Sequence, residues 1–153
     1  MKKLIILFIL PGFLYFIIFC IYTYPAIYSF STKLYADSID GLVHVWNLWW
    51  INKSVTQLHT SILYTDFLYY PYGISLVTHS LNPYNGFVSI LFQKYFSLIQ
   101  SFNLLVILSF VLSGLATFYL AFYLIRNYLA SIVSGFIFAF SAYRFAHTEG
   151  HLE

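Results

Sequence analysis

Three long apolar runs, at about residues 4–28, 101–125 and 129–146, constrain this chain more than anything else in its sequence. A helix of about 20 apolar residues crosses a hydrocarbon layer. In lipid only helices and closed barrels satisfy their own backbone groups. The expected fold is therefore an all-α integral membrane protein, a single domain over residues 1–153 with about three transmembrane helices. Composition agrees: 61% of residues are hydrophobic and 8% charged, against roughly 25% charged in an average soluble domain.

The second and third runs are separated only by Arg126-Asn127-Tyr128, which predicts a tight helical hairpin. Small residues on both sides, Ser113, Gly114 and Ala116 against Ala130, Ser134 and Gly135, are expected to let the two backbones approach closely. The first run follows Met1-Lys2-Lys3 and reads as a signal anchor. No small-x-small cleavage site follows it, and Phe19 stands before Cys20 where a lipoprotein signal takes a small residue. Pro11 is expected to kink this helix without ending it. With Lys2 and Lys3 cytoplasmic, the segment from about 29 to 100 is a long first extracytoplasmic loop, and Arg126 marks a short cytoplasmic turn. This topology requires Gly86–Ile99, which carries Gln93 and Lys94, to lie in the interface as an amphipathic helix. Were that segment to span, the C-terminal tail would move to the cytoplasm.

Within the outer loop, Asp40 or Ser38 is expected to cap a helix from about Gly41 to Leu58. Trp46, Trp49 and Trp50 suit a membrane interface, while His44, Asn47 and Ser54 extend a polar ridge from Asp40 at helical spacing. Pro71-Tyr72-Gly73 and Asn82-Pro83 are turn signals.

The acids are unevenly placed: Asp37, Asp40 and Asp66 in the outer loop, Glu149 and Glu153 at the end. Asp37 and Asp40 are candidates for a general base or for holding a divalent cation; the plainer alternative is a helix cap beside a solvated acid. His147, Glu149, His151 and Glu153 read H-x-E-x-H-x-E. As a helix this places His147 and His151 to share a metal, with Glu149 and His151 the candidate ligands; as a strand the four residues share one side. A polar cap at the water boundary explains the pattern equally, and Arg144 then snorkels to lipid headgroups. Tyr70 and Tyr72 in the run Tyr69–Gly73 either line a groove for a lipid or sugar or belong to an aromatic belt.

A net charge of +2 without a basic patch excludes a nucleic-acid surface. A single cysteine, Cys20, excludes a disulfide framework. No Gly-rich phosphate loop, nucleophile elbow or H-E-x-x-H helix is present. Asn52-Lys53-Ser54 fits a glycosylation triplet but falls inside an expected helix.

The order of these features resembles the N-terminal module of GT-C superfamily glycosyltransferases, membrane enzymes that use polyprenyl-phosphate-linked sugars. The resemblance rests on Asp40 ahead of Trp46-Asn47-Leu48-Trp49-Trp50, the turn Tyr70-Pro71-Tyr72-Gly73, the hairpin, and the tail Ser141-Ala142-Tyr143-Arg144-Phe145-Ala146-His147-Thr148-Glu149-Gly150-His151-Leu152. It implies an essential acid at Asp40, with Asp37 as the alternative, and polar site residues at His147, Glu149 and His151. His44, Asn47, Tyr70, Tyr72 and Arg144 join these as substrate-binding candidates. Ala142 departs from the pattern, where proline is usual. The implied reaction transfers a sugar to an acceptor at the outer face of the cell membrane, with or without a divalent cation. Such enzymes have more spans, so the resemblance implies that the 153 residues are a fragment, completed by a C-terminal portion or a partner membrane subunit. A rival expectation is a non-catalytic multi-pass subunit or scaffold whose hairpin binds other helices.

Overall fold

The computed structural model of the chain describes residues 7, 9–36 and 39–150, without the side chains of 149 and 150. It is mostly helical, with six α-helices among the described residues: α1 (Leu10–Tyr22), α2 (Asp40–Lys53), α3 (Pro83–Gln93), α4 (Leu98–Ile125), α5 (Tyr128–Ala139) and α6 (Ala142–Gly150). The all-α expectation needs one amendment. A two-stranded antiparallel ladder, β1 (Tyr64–Thr65) and β2 (Ile74–Ser75), pairs Tyr64 with Ser75 and Thr65 with Ile74.

Among the described residues one single helix, α4, is long and apolar enough to cross a membrane. The run at 129–146, expected to be one span, forms two helices, α5 and α6, bent by 42°, which together are long and apolar enough for one broken span. The break has a local cause. Phe140 leaves helical geometry at φ −113° and ψ 27°, which turns its ring into the core between Tyr15 and Phe110. The Ser141 hydroxyl then accepts from the Arg144 N–H at 3.3 Å and starts a new helix. Ala142 is thus the first residue of α6, a position where proline and alanine are both accommodated.

In the first apolar run the described α-helix is α1, Leu10–Tyr22. It has 13 residues, with Pro11 in the first turn, where the missing N–H has no helical partner to lose. Thr23 closes it by donating its hydroxyl to the Phe19 carbonyl at 2.8 Å, and a 3₁₀ turn at Ala26–Ser29 follows.

The expected hairpin is present. Arg126 ends α4 in the left-handed region at φ 56°, and the Asn127 side chain accepts from the Ala130 N–H to start α5. Gly114 and Gly135 stand at the close approach. A Cβ on Gly135 would lie 2.6 Å from the Gly114 carbonyl oxygen, whereas Ser113 and Ser134 return their hydroxyls to carbonyls of their own helices. Into the notch between these glycines α1 inserts Tyr15, fully buried, with its hydroxyl donated to the Ile132 carbonyl at 3.1 Å. Phe19, Phe110, Phe118 and Phe140 complete this core.

The segment expected as one interfacial helix at 86–99 is α3, ending at Gln93, followed by the first turn of α4. A capping box of Ser97 with Gln100 fixes that start. Gln93 faces inward: its amide N–H groups donate to the Leu48 carbonyl and the Ser89 hydroxyl, and its oxygen accepts from Asn52. Gly86 permits the contact, since its Cα lies directly against Ile51 of α2. Gly135→Ala is expected to push Tyr15 out of its notch at a cost of about 2 kcal/mol, read as a lower melting temperature in detergent. Tyr15→Leu in the same chain should recover part of the loss.

Candidate functional site

Asp40 opens α2 as its first helical residue and is exposed. It does not cap the helix: Ile39 holds that position, and no side chain caps there. A carboxylate in the first turn is instead favoured by the helix dipole. Asp37 and Ser38 lie outside the described residues, as do His151 and Glu153, and the side chain of Glu149 is likewise not described.

One turn on, the polar ridge expected on α2 is real, but it faces inward. His44 is 6% exposed, Asn47 2% and Ser54 0%. Asn47 explains why a buried amide is tolerated here. Its Nδ2 donates to the Ser80 carbonyl at 2.9 Å, and its Oδ1 lies 3.0 Å from His79 Nε2. A carbonyl only accepts, so Ser80 fixes which way the amide points. Oδ1 must then receive the proton of Nε2, which leaves Nδ1 of a neutral His79 ring as the acceptor. Trp46 meets the same ring edge-on at 6.1 Å. His79 was not visible from sequence, because it sits in an aperiodic loop.

The tryptophans divide. Trp50 is buried, donating its indole N–H to the Ile62 carbonyl at 3.0 Å. Trp46 stacks on it at 6.1 Å, and Trp49 lies beneath Lys53 Nζ, 5.6 Å from its ring centroid.

At the other end of the sequence, α6 is helical through Gly150, so the extended alternative for the tail does not hold over these residues. α6 touches α2, which brings the helix carrying Arg144 and His147 against the helix carrying Asp40, His44 and Asn47. The His147 ring packs on Tyr143 at 4.2 Å. Among the described residues no three His, Cys, Asp or Glu side chains gather as a metal site.

Arg144 is the unusual member. Its guanidinium lies 5.1 Å over the face of Phe110, a favourable cation–π placement. Its Nε is buried with no hydrogen-bond partner. The Tyr35 hydroxyl is the other such atom, and Tyr35 lines a cavity of about 230 Å³ with Phe19, Phe110, Phe145 and Thr148. Burial pushes the Tyr35 phenol above its ordinary pKa, with Cys20 a smaller contributor in the same direction.

The loop that carries Tyr35 is held by Asn103, another residue the sequence reading passed over. Its Oδ1 accepts from the Tyr35 N–H at 2.9 Å, and its Nδ2 donates to the Phe30 and Lys33 carbonyls, both at 2.8 Å. The available signal was an amide near the start of the most apolar run, which in such a setting must find partners. Tyr70 and Tyr72, in contrast, are not brought to the α2–α6 contact. Their side chains are 82% and 86% exposed on the turn of the β1–β2 hairpin.

No protein-family model matches the chain, and neither a curated protein nor a solved structure matches it. The site therefore stands on its own geometry. Asn47→Leu should release His79 to exchange between its two neutral tautomers. The ¹⁵N shifts of the His79 ring then move toward a common average, whereas in the native chain they report a protonated Nε2 and a bare Nδ1.

Proposed function

We propose that this chain is the N-terminal portion of a membrane glycosyltransferase that moves a sugar from a polyprenyl-phosphate donor to an acceptor at the extracytoplasmic face. The observation that carries this reading is Arg144: a half-buried guanidinium with an unpartnered Nε, packed on Phe110, a wall residue of a mostly apolar cavity, on a helix packed against the one that begins with Asp40. Arginine remains charged in proteins, and a buried charge without a counter-ion is costly. Among the described residues Arg144 makes no ion pair, and a lipid phosphate would supply an anion; the aromatic cavity wall suits the first part of a polyprenyl chain. Asp40, exposed in the first turn of α2, would accept the acceptor's proton as positive charge develops on the sugar. His79, held by Asn47, offers a second proton acceptor.

Membrane placement is supported by the surface of the helices. Only 39% of the most apolar 18-residue stretch of α4 is buried within the chain. Leu120 and Leu124 of α4 and Leu129, Val133 and Ile137 of α5 are exposed. Lipid covers such surface without cost, whereas water does not. In this reading α1, α4 and the α5–α6 pair are the three spans, and the segment from α2 to α3 lies outside.

Two experiments test the proposal. In a Cys20→Ala background, cysteines placed at Asp66 and at His147 should both react with an impermeant thiol reagent applied outside; labelling of the first alone would separate α2 from α6 across the membrane and end the shared-site reading. With the chain in nanodiscs, a photoactivatable polyprenyl phosphate should label it, and Arg144→Gln should reduce the yield about tenfold. In the assembled enzyme Asp40→Asn should lower turnover about 10²-fold or more; full activity would move the base elsewhere. Equal labelling of native and Arg144→Gln chains would favour a non-catalytic subunit.

A further inference from the structure

We propose that α3 is seated in the outer leaflet of the membrane, its exposed face bound among lipid headgroups and the first part of the acyl chains. This rests on the membrane placement argued above, and it adds a lipid-binding surface distinct from the spans and from the α2–α6 contact.

Two opposite stripes divide α3. With 3.6 residues per turn, Gly86, Ser89 and Gln93 fall on one side, and Tyr84, Phe87 and Leu91 on the side about 180° away. The first stripe is the polar one, and it faces α2. Gly86 and Ser89 are buried, Gly86 lies directly against Ile51, and the Ser89 hydroxyl donates to the Gly86 carbonyl at 2.7 Å while accepting from Gln93. Val88 and Phe92, between the stripes, pack on the core. Tyr84, Phe87 and Leu91 are left 50% to 72% exposed, and exposed Tyr95 and Phe96 continue their stripe past the helix end. A helix lying on a core in water turns its apolar side inward and its polar side out. Here the hydrogen-bonding side chains point in and the rings point out.

The surroundings specify lipid as the occupant. α3 is joined to α4, the helix long enough to cross a membrane, only by Lys94–Ser97, a link of about 14 Å at full stretch. That end of α4 is polar: Ser97 and Gln100 cap it, Gln100 donates to the Ser31 hydroxyl, and Asn103 holds the loop after α1. The short link therefore keeps α3 at the level where α4 leaves the hydrocarbon. The exposed side chains are those this level favours. Tyr84 and Tyr95 stand at the two ends with Phe87 and Leu91 between them, and exposed Lys94 extends a long stem toward headgroups. A lone interfacial helix needs a charged side turned to water. In this chain α2 takes that place by covering the polar stripe, so the depth of α3 sets the height at which α2, and Asp40 at its start, stands above the lipid.

The test uses the full chain in nanodiscs, in a Cys20→Ala background, with nitroxide spin labels on the single variants Phe87→Cys, Leu91→Cys, Asp66→Cys and Leu120→Cys. Collision with oxygen, which concentrates in lipid, is compared with collision with a water-soluble nickel chelate. Labels at Phe87 and Leu91 should favour oxygen and read a depth of roughly 5–10 Å below the headgroups, whereas the label at exposed Asp66 favours the chelate. All four positions are exposed, so the variants should fold, checked by an unchanged circular dichroism spectrum. Leu120 on α4 reads the membrane placement separately. If its label meets oxygen while those at Phe87 and Leu91 meet the chelate, the seating of α3 alone is overturned; if the Leu120 label also meets the chelate, the membrane placement falls with it. Protection of Phe87 and Leu91 from both reagents would show a second copy or a partner subunit on this face, and would overturn the proposal as well.

Discussion

The arrangement of this chain depends on one tyrosine filling a space that two glycines leave open. Tyr15 reaches between Gly114 of α4 and Gly135 of α5, and its hydroxyl bonds to a carbonyl of α5. Where apolar side chains lose little on contacting lipid instead of each other, packing and hydrogen bonds must hold helices together. Tyr15 supplies both to three helices at once. The same notch sets where α5 stops, because Phe140 packs on Tyr15 and Phe110 and so leaves the helix. The bend into α6, and with it the position of Arg144 over Phe110, follows from that packing.

A second set of constraints is polar. Asn103 ties the loop after α1 to α4, and Gln93 ties α3 to α2. Each is an amide in apolar surroundings with its donors and acceptors paired, the condition under which a buried polar group is tolerated. These clamps explain how a segment with only two short strands and many turns holds a definite shape beside the helices. They also put α2 where α6 can reach it.

Much of the helical plan was legible in the sequence because it rests on run length and local punctuation. The hairpin at Arg126-Asn127 and the helix beginning at Asp40 came from such signals. What could not be read locally was orientation. His44 and Asn47 fall at helical spacing whether their ridge faces water or the core, and only the Ser80 and His79 partners, some 30 residues away, decide for the core. The break at Phe140-Ser141 was hidden for a similar reason: no proline or glycine marks it, and the cause lies in rings from α1 and α4. Of the candidate site, Asp40 and Arg144 were visible as rare charges; His79, Asn103 and the use of Tyr35 were not, because each depends on a contact distant in sequence. Tyr70 and Tyr72 lie on an exposed turn.

The distribution of charge separates the two regions of interest. Near the α2–α6 contact the guanidinium of Arg144 is partly withdrawn from water, and its closest described company is aromatic, which stabilises a cation without neutralising it. Near the β1–β2 hairpin, Asp66 is exposed to solvent, while Lys53 is partly buried with its Nζ over the Trp49 and Phe67 rings. One helix, α2, joins the two regions: it begins at Asp40, packs against α6, and ends at Lys53 beside the Phe67 ring.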